Sequence, residues 1–514
     1  MAFLQGGPFS RNRRTVTIVW GVGLTAFADF VTWPTPLYLV LGTAIGMLFG
    51  ILPGLGGPQV LALLIPVSQG MNPTQAVAMF AGAMGAIAFS GSISAILINT
   101  PGTTQSAATM FDGYQLTRQG KAGMALGAAA TSSFLGALFG AIVLTLILPV
   151  GRSVVLAFSY PDYFMLAVMG LAVIAVVSQG SVWKGVIAAI FGLGVAAIGY
   201  DPVTGAARYS FEIAYLWSGI RLVPALIGMF AIAEAVEVFL EEGTIAKEPT
   251  KDPLRGVLSG VKAVFQNFGL FIRSSLIGTF IGIIPGVGGA VANFIAYIQC
   301  VATSKDRESF GKGNIRGVIA PEAANDAKDG GALVPTLIFG IPGSLEMAVL
   351  LGALIVHGIQ PGPRLMLDNP GIALVLIYAL VISNLITSIM GLVAAKYLIR
   401  VTTVPTEYVG SLVIAVALMG AYATHGQFND VVVAVVFGLI GIAMKRFQFS
   451  RVAFLIALML GGLAEKTFWQ TIMSSGGLGF VTRPISIGLL AVTVVILVSP
   501  YVQRSRMERQ AMGE

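Results

Sequence analysis

The stretch GMLFGILPGLGG, at residues 46–57, recurs 232 residues later as GTFIGIIPGVGG, at residues 278–289. A second pair of motifs, INTPGT at residues 98–103 and FGIPGS at residues 339–344, is separated by 241 residues. Both pairs occur in the same order along the chain. The sequence therefore predicts two homologous repeats.

The composition is that of a membrane protein. Of 514 residues, 56% are hydrophobic and only 10% are charged, whereas a soluble domain carries about 25% charged residues. Nearly uncharged apolar runs at residues 135–150, 165–178, 371–392 and 485–500 approach or reach the roughly 20 residues that cross a bilayer. We therefore predict an all-α polytopic protein in the lipid bilayer.

The net charge of +7 does not indicate a nucleic-acid partner, because the basic residues flank the apolar runs. Arginines before the first run, at positions 11, 13 and 14, and after the last, at 504, 506 and 509, predict two cytoplasmic termini and an even number of crossings. The single cysteine, Cys300, excludes an internal disulfide framework and a cysteine metal cluster.

The chain divides into five predicted regions. Residues 1–32 form a basic N-terminus with the first interfacial or membrane helix, and residues 33–240 form repeat one. Residues 241–270 form a charged linker and an amphipathic helix, which continues to residue 275; a charged loop-helix is the alternative there. Residues 271–473 form repeat two, and residues 474–514 form an extra transmembrane helix and a basic tail.

The orientation of the repeats stays open. An odd number of crossings in each repeat would invert one repeat relative to the other, as in many transporters. The lysines and the arginine of the linker instead favour the cytoplasmic side, together with both termini. The run at residues 485–500 has no partner in repeat one, which makes the count of crossings uncertain by one.

Four glycine-proline motifs interrupt the apolar runs, at residues 53–58, 100–104, 285–289 and 341–344. Proline and glycine end helices, so each motif should break one helix and start another, forming re-entrant hairpins at the midplane. The N-terminus of a helix exposes N–H groups that bind anions. The duplicated motifs predict a carboxylate site, although kinks for close helix packing are the alternative reading.

Hydroxyl, amide and carbonyl groups around these breaks supply candidate ligands. The predicted substrate-binding residues are Asn99, Thr100, Gly102, Thr103, Thr104, Gly340, Pro342, Gly343 and Ser344. The predicted ion-binding residues are Gly54, Gly56, Gly286, Gly288, Glu322, Asn325 and Asp326, with Na⁺ as the candidate cation and no other cofactor.

The segment PEAANDAKDGG, at residues 321–331, leads into an apolar run. Charges this close to a membrane segment are costly unless they are paired or in contact with water, and they are functional candidates by default. Glu322 and Asp326 are one helical turn apart and could hold a cation or a proton. Alternatively, Glu322 and Asp329 pair with Lys328 in a surface loop. His357 and His425, the only histidines, cannot form a histidine metal site and are predicted at helix ends.

These motifs resemble the large membrane subunit, the TctA type, of the tripartite tricarboxylate transporters. The resemblance covers nearly the whole chain and includes LPGLG at 52–56, NTPGT at 99–103, FDGY at 111–114, RQGKAG at 118–123, PEAAN at 321–325, GIPGS at 340–344 and HGIQPGP at 357–363. It implies a secondary transporter of the bacterial inner membrane that works with a small membrane subunit and a periplasmic solute-binding protein. A Na⁺ or H⁺ gradient would drive import of an organic carboxylate.

Two segments depart from the family pattern. Leu345, Glu346 and Met347 follow Ser344 where small or hydroxyl residues are usual, and a charged run at residues 326–329 replaces a usually neutral one. A buried Glu346 would repel a carboxylate unless it is protonated or paired, although it could instead face water beyond the hairpin tip. The substrate therefore stays open among tricarboxylates, dicarboxylates and aromatic acids.

Two other classes compete with a transporter. A carboxylate-selective channel also uses hairpins and helix dipoles. An intramembrane enzyme would need a nucleophile with a base, yet neither histidine lies in a Gly-x-Ser-x-Gly or His-Glu-x-x-His context. We therefore expect no enzymatic activity.

Overall fold

The computed structural model describes residues 22–52, 54–177, 182–201, 203–240, 255–285, 288–401, 405–476, 478–495 and 497. This part of the chain is predominantly α-helical. Its β-structure consists of a two-residue antiparallel pairing of Gly199–Tyr200 (β1) with Ala207–Arg208 (β2).

The helices follow one another with short connections. In the first half they are α1 Val22–Val31, α2 Thr35–Ile51, α3 Gly57–Val67, α4 Pro73–Ile98, α5 Ala107–Arg118, α6 Ala122–Ala157, α7 Tyr160–Val177, α8 Val182–Ala196 and α9 Leu222–Leu240. In the second half they are α10 Val257–Gln266, α11 Phe268–Ile283, α12 Gly288–Thr303, α13 Arg316–Phe339, α14 Leu345–Val356, α15 Pro363–Asp368, α16 Pro370–Val401, α17 Thr406–His425, α18 Phe428–Arg446, α19 Arg451–Ser475, α20 Gly479–Thr482 and α21 Pro484–Val495.

Seven of these helices are long and apolar enough to cross a membrane, and the number rises to nine if each of two bent pairs is one span. The bent pairs are α1 with α2, at 72°, and α10 with α11, at 80°. The described residues thus confirm an all-α, multi-pass membrane protein.

Two helices form the centre of the protein. Helix α4 is apolar and almost completely buried. Helix α13 is buried from Gly317 to Ile338 although it carries four charged residues in its interior. Helix α2 packs along α4, whereas α11 and α6 pack along α13. The charged residues of α13 are therefore surrounded by protein and not by lipid, the arrangement expected of intramembrane charges.

Glycines allow this close packing. A Cβ atom on Gly46 of α2 would lie 2.7 Å from the Cα of Ala83 in α4, and a Cβ on Gly278 of α11 would lie 2.7 Å from the Cα of Ala324 in α13. Small residues let membrane helices approach at backbone distance, where van der Waals contact holds them together. Each of the two central helices, α4 and α13, therefore packs against a helix that presents glycine to it.

The segment at residues 258–275, predicted as an amphipathic helix, is divided between two helices, because α10 ends at Gln266 and α11 begins at Phe268 after a sharp bend. At the bend the Asn267 side-chain amide donates to the carbonyl of Ala263 at 2.8 Å, a local bond that competes with helix continuation. In α10 the apolar Leu258 and Phe265 are exposed, as in a helix that lies in a membrane interface.

Parts of the predicted organisation fall outside the described residues. These parts are the basic N-terminus to residue 21, the linker at residues 241–254 and the basic tail from residue 498. The predicted extra C-terminal span has a described helix, α21, of 12 residues, shorter than the roughly 20 residues that cross hydrocarbon.

Candidate functional site

Each glycine-proline motif interrupts a helical path, as predicted. Helix α2 ends at Ile51 and α3 begins at Gly57, and α11 ends at Ile283 before α12 begins at Gly288. The other two breaks separate α4 from the 3₁₀ turn Thr104–Ser106 that leads into α5, and α13 from α14. There are thus four helical starts, where the first N–H groups have no helical carbonyl to bond.

One hydrogen bond joins the hairpin between α4 and α5, called the first hairpin, to the hairpin between α13 and α14. The Gln105 side-chain amide, just after the first hairpin, donates to Oε1 of Glu346, in the first turn of α14, at 2.8 Å. The Asn293 side chain of α12 donates in turn to the backbone carbonyl of Gln105 at 2.7 Å. Both residues of the first bond are buried, so the prediction that Glu346 could face water beyond the hairpin is wrong.

Glycines bring the remaining two helical starts to this bond. A Cβ on Gly57, at the start of α3, would lie 2.5 Å from Cγ and 3.1 Å from Oε1 of Glu346. A Cβ on Gly289, at the start of α12, would lie 2.8 Å from Cδ of Lys328 and 2.9 Å from Cδ of Gln105. The four breaks therefore meet around Gln105 and Glu346.

Beside this junction, α13 presents its charged residues. Oε1 of Glu322 accepts hydrogen bonds from the hydroxyls of Ser92, at 2.7 Å, and Thr109. Oδ2 of Asp326 accepts from the Ser133 hydroxyl at 2.5 Å. Both carboxyl groups are buried and reach elements from the first half of the chain.

The Lys328 ammonium donates to Oδ1 of Asp329, and both side chains are buried. The alternative prediction is thus correct in pairing Lys328 with Asp329, but it is wrong in placing the pair in a surface loop and in pairing Glu322 with Lys328. Sequence alone could not distinguish the two arrangements, because a polar segment beside an apolar run fits either a surface loop or a buried helix.

Several buried polar atoms of α13 have no hydrogen-bond partner among the described residues. They are Oε2 of Glu322, both side-chain amide atoms of Asn325 and Oδ1 of Asp326. Buried polar atoms usually have partners, so a set without them points to a bound ion, water or substrate. Among the described residues, no three His, Cys, Asp or Glu side chains converge to hold a metal. A cation here would need amide, hydroxyl or carbonyl oxygens as further ligands, which suits Na⁺.

The charges at this site do not balance. Four buried carboxyl groups, from Glu322, Asp326, Asp329 and Glu346, face one buried ammonium, from Lys328. Lys328 is the only buried lysine or arginine in the described part of the chain. Uncompensated charges in a low-dielectric interior are strongly disfavoured, so protons or bound cations must offset the excess.

Some predicted substrate residues shape the hairpins. Asn99 and Gly340 end α4 and α13 in the left-handed conformation, with φ of 57° and 72°. The Gly102 N–H donates to the carbonyl of Gly91 at 3.2 Å, and the Gly343 N–H donates to the Thr336 hydroxyl at 3.1 Å. These residues fix the turns through backbone geometry.

The remaining predicted residues occupy different environments. Thr103 is buried and bonds the Ser106 hydroxyl at 3.1 Å, and Pro342 is buried. Ser344 accepts from the Met347 N–H at 3.3 Å and caps α14. Thr100 bonds the carbonyl of Ile98 at 3.4 Å, whereas Thr104 is exposed.

The glycines predicted to bind an ion are placed unevenly. Gly54 is exposed with φ of 84°, Gly56 precedes α3 as its N-cap and Gly288 begins α12. Gly286 lies outside the described residues. The positions of these glycines therefore assign no ion ligand by themselves.

Sequence reasoning missed the partners of the acidic residues. Thr109 and Ser133 lie 213 and 193 residues from the carboxyl groups that they contact. Asn293 likewise lies 188 residues from Gln105, and no local pattern marks such pairs. One signal was present: Gln105 and Glu346 are 241 residues apart, which is the spacing of the two hairpin motifs. Residues at equivalent positions thus contact each other.

A separate polar cluster lies beside the β1–β2 pairing and includes one residue of α19. Arg208 contacts Asp201 at 3.1 Å and Glu465 at 2.7 Å, next to a cavity of about 430 Å³. The N–H groups of Thr204 and Val203 lower the pKa of Asp201, and the hydrogen bond to Glu465 raises the pKa of Arg208. The cavity lining does not include the hairpins.

Comparison with known proteins gives one consistent result. Residues 37–456 match the profile of the family described as "Tripartite tricarboxylate transporter TctA family". An Agrobacterium vitis protein described as "Uncharacterized 52.8 kDa protein in TAR-I ttuC' 3'region" is 34% identical over 486 residues, covering 93% of this chain and 96% of the relative. A second, "Uncharacterized protein in TAR-II ttuC' 3'region" from the same organism, is 30% identical over 234 residues, covering 45% of this chain and 97% of the relative. No solved structure matches the chain significantly.

Proposed function

Because the chain belongs to the tripartite tricarboxylate transporter TctA family, we propose that it imports an organic carboxylate across the bacterial inner membrane by alternating access. In this proposal a periplasmic solute-binding protein delivers the substrate, and a small membrane subunit completes the transporter. A Na⁺ or H⁺ gradient drives the uptake. The carboxylate is a tricarboxylate, a dicarboxylate or an aromatic acid.

The observation that carries the proposal is the meeting of four helical starts around the Gln105–Glu346 bond. Their N–H groups and the positive ends of their dipoles favour an anion at this point. Broken helices that meet in this way are the usual construction of a transporter's binding site. A carboxylate is the anion that the family relation favours.

We further propose that the halves are homologous repeats in inverted orientation. Equivalent glycines support the homology, because Gly57 packs against Glu346 whereas Gly289, 232 residues later, packs against Gln105, the equivalent of Glu346. Such exchanged contacts are expected when a two-fold axis runs between the halves. Inversion would let one fold alternate between two mirror-related states.

The coupling cation or proton binds next to α13 in this proposal. Glu322, Asn325 and Asp326 provide carboxylate and amide oxygens that lack partners. An anion placed beside an excess of carboxylates is repelled unless positive charge enters with it. Binding of the substrate and of the cation would therefore depend on each other, which is what symport requires.

Uptake by the reconstituted tripartite transporter tests these points. We expect liposomes with both membrane subunits, given the binding protein outside, to accumulate citrate, succinate or benzoate when a Na⁺ or pH gradient is imposed. Uptake should saturate and should require the binding protein. Equilibration of the anion without the binding protein or a gradient would indicate the alternative, a channel. Failure to accumulate any of the three carboxylates would contradict the proposed function.

A further inference from the structure

Lys328 is placed where an anionic substrate would need a cation. Its side chain passes over Gly289 at the start of α12 and lies beside Gln105, because a Cβ on Gly289 would overlap both side chains. The ammonium contacts Asp329, and only 3% of the residue is exposed. Lys328 thus reaches the junction of the four helical starts from the side of α13.

The electrostatics of this position are unusual. The start of a helix repels a cation, since its N–H groups carry partial positive charge. An ammonium next to the starts of α12 and α14 is therefore stabilised only by anions. In this structure the ammonium contacts Asp329, and Glu346 and Asp326 are the other carboxyl groups near it. A substrate carboxylate at the same point would be attracted both by Lys328 and by the helix dipoles.

A second observation indicates that this junction takes a ligand. Oδ1 of Asn293 is buried without a partner, although Nδ2 of the same side chain donates to Gln105. Oε1 of Gln59, 3.6 Å from a Cβ built on Gly56, is also buried and unpaired. Because both atoms are hydrogen-bond acceptors, they fit water or a hydroxyl group of a bound molecule, and not its carboxylate oxygens.

The Lys328–Asp329 pair has no equivalent in the first half. The residues 241 positions before Lys328 and Asp329 are Ile87 and Ala88. Yet Gly282 lies against the backbone of Lys328 as Gly50, 232 residues earlier, lies against that of Ile87. Helix packing at this position therefore does not require a charged pair.

From these observations we propose that Lys328 is a specificity-determining residue, whose ammonium binds one carboxylate group of the substrate after exchanging its contact with Asp329. This inference rests on the proposed function. Asp329 takes the place of the substrate carboxylate in the empty transporter, and charge complementarity then excludes neutral analogues from the junction.

The test removes the charges of Lys328 and Asp329 together. Lys328→Met alone leaves Asp329 buried without its partner and is expected to destabilise the protein. The double variant Lys328→Met/Asp329→Asn removes both charges, which is often tolerated in a protein interior. Its control is Arg208→Met/Glu465→Gln, which removes an ion pair outside the junction. Uptake kinetics for citrate, succinate and benzoate, and thermal midpoints, are measured in the reconstituted tripartite transporter.

We expect the double variant to keep its thermal midpoint within a few degrees of the wild type, but to lose uptake or show at least a tenfold higher KM. The control variant Arg208→Met/Glu465→Gln should retain transport. If the Lys328–Asp329 pair were merely structural, the double variant, which removes both charges, would transport as the wild type does. A double variant with KM within twofold of the wild type overturns the proposal.

Two further outcomes are informative. If the double variant does not fold, Lys328→Arg decides, because a guanidinium keeps the charge but changes its reach and hydrogen-bond geometry. We then expect at least a threefold change in KM at an unchanged thermal midpoint, and an unchanged KM overturns the proposal. A wild-type transporter that accumulates none of the three carboxylates instead refutes the proposed function, and this inference with it.

Discussion

Adding one methyl group at the start of α3 or α12 tests whether the junction of the four breaks is the functional site. In Gly57→Ala the new Cβ would lie 2.5 Å from Cγ of Glu346. In Gly289→Ala it would lie 2.8 Å from Cδ of Lys328 and 2.9 Å from Cδ of Gln105. Carbon atoms in contact normally lie about 3.5–4.0 Å apart, so a side chain must move by roughly 1 Å.

The magnitude follows from the bond between the hairpins. A shift of roughly 1 Å in Glu346 would lengthen its 2.8 Å bond to Gln105 beyond hydrogen-bonding distance. A hydrogen bond to a charged group contributes about 1.5–3 kcal/mol, which corresponds to roughly 10- to 150-fold in an equilibrium constant. We expect KM for the transported carboxylate to rise within this range in Gly57→Ala.

Gly289→Ala should have a smaller effect. The atoms that obstruct its methyl group include the far end of the Lys328 side chain, which can move more easily than Cγ of Glu346, close to the α14 backbone. A loss of affinity at the lower end of the same range is expected. This ranking distinguishes a specific contact from general damage to the helix starts.

Gly194→Ala, within α8, is the matched control because a Cβ there meets no atom within 4 Å. Alanine is favoured over glycine in a helix by about 0.5–1 kcal/mol, so this variant should fold and transport as the wild type does. Uptake kinetics and the thermal midpoint are measured for all three variants. A KM and a midpoint of Gly57→Ala equal to those of Gly194→Ala would refute the reasoning.

The remaining predictions concern coupling, ligands and orientation. Glu322→Gln should weaken the dependence of uptake on Na⁺ or external pH while leaving some transport, and an unchanged ion dependence would remove Glu322 from the coupling site. Of the predicted ligands, Asn325→Ala and Thr103→Ala should abolish uptake at normal expression. Asn99→Ala should do the same if the Asn99 amide contacts the substrate. Ser344→Ala should also abolish uptake and should lower the stability of α14 by about 1 kcal/mol through loss of its N-cap. Wild-type uptake in all four variants would contradict the site assignment. In a Cys300→Ser background, cysteines at the exposed positions Lys121 and Arg364, after the two hairpins, should react with an impermeant thiol reagent from opposite sides of the membrane; labelling from one side would exclude inverted repeats.

The helix breaks could be predicted from the sequence because their cause is local. Proline lacks an N–H, and glycine accepts the positive φ that ends a helix, as Gly340 does at the end of α13. The recurrence of the motifs then indicated which breaks belong together. Asn99, at the equivalent position in the first half, adopts the same left-handed conformation, which asparagine tolerates better than most residues.

The environment of the charged residues could not be predicted. Whether a polar segment is a surface loop or a buried helix depends on what packs around it, and α13 is surrounded by helices from distant parts of the chain. The Ser133 hydroxyl that bonds Asp326, for example, is 193 residues away in sequence. The bend at Asn267 was missed for a related reason, because a continuous polar and apolar alternation does not reveal a side chain that bonds its own backbone.

The two halves differ in charge much more than in shape. At hairpin positions 241 residues apart, a Cβ on Gly102 would overlap Gly91 and a Cβ on Gly343 would overlap Ala332, so both hairpins approach their central helix equally closely. Where α13 carries Glu322 and Asp326, however, α4 has only alanine and glycine. Both halves can therefore shape an anion site with helix starts, whereas the carboxyl groups of the proposed cation site come from α13 and have no equivalent in α4. If transport is coupled through that site, neutralising Glu322 and Asp326 should uncouple cation from substrate while the duplicated hairpins still bind the anion.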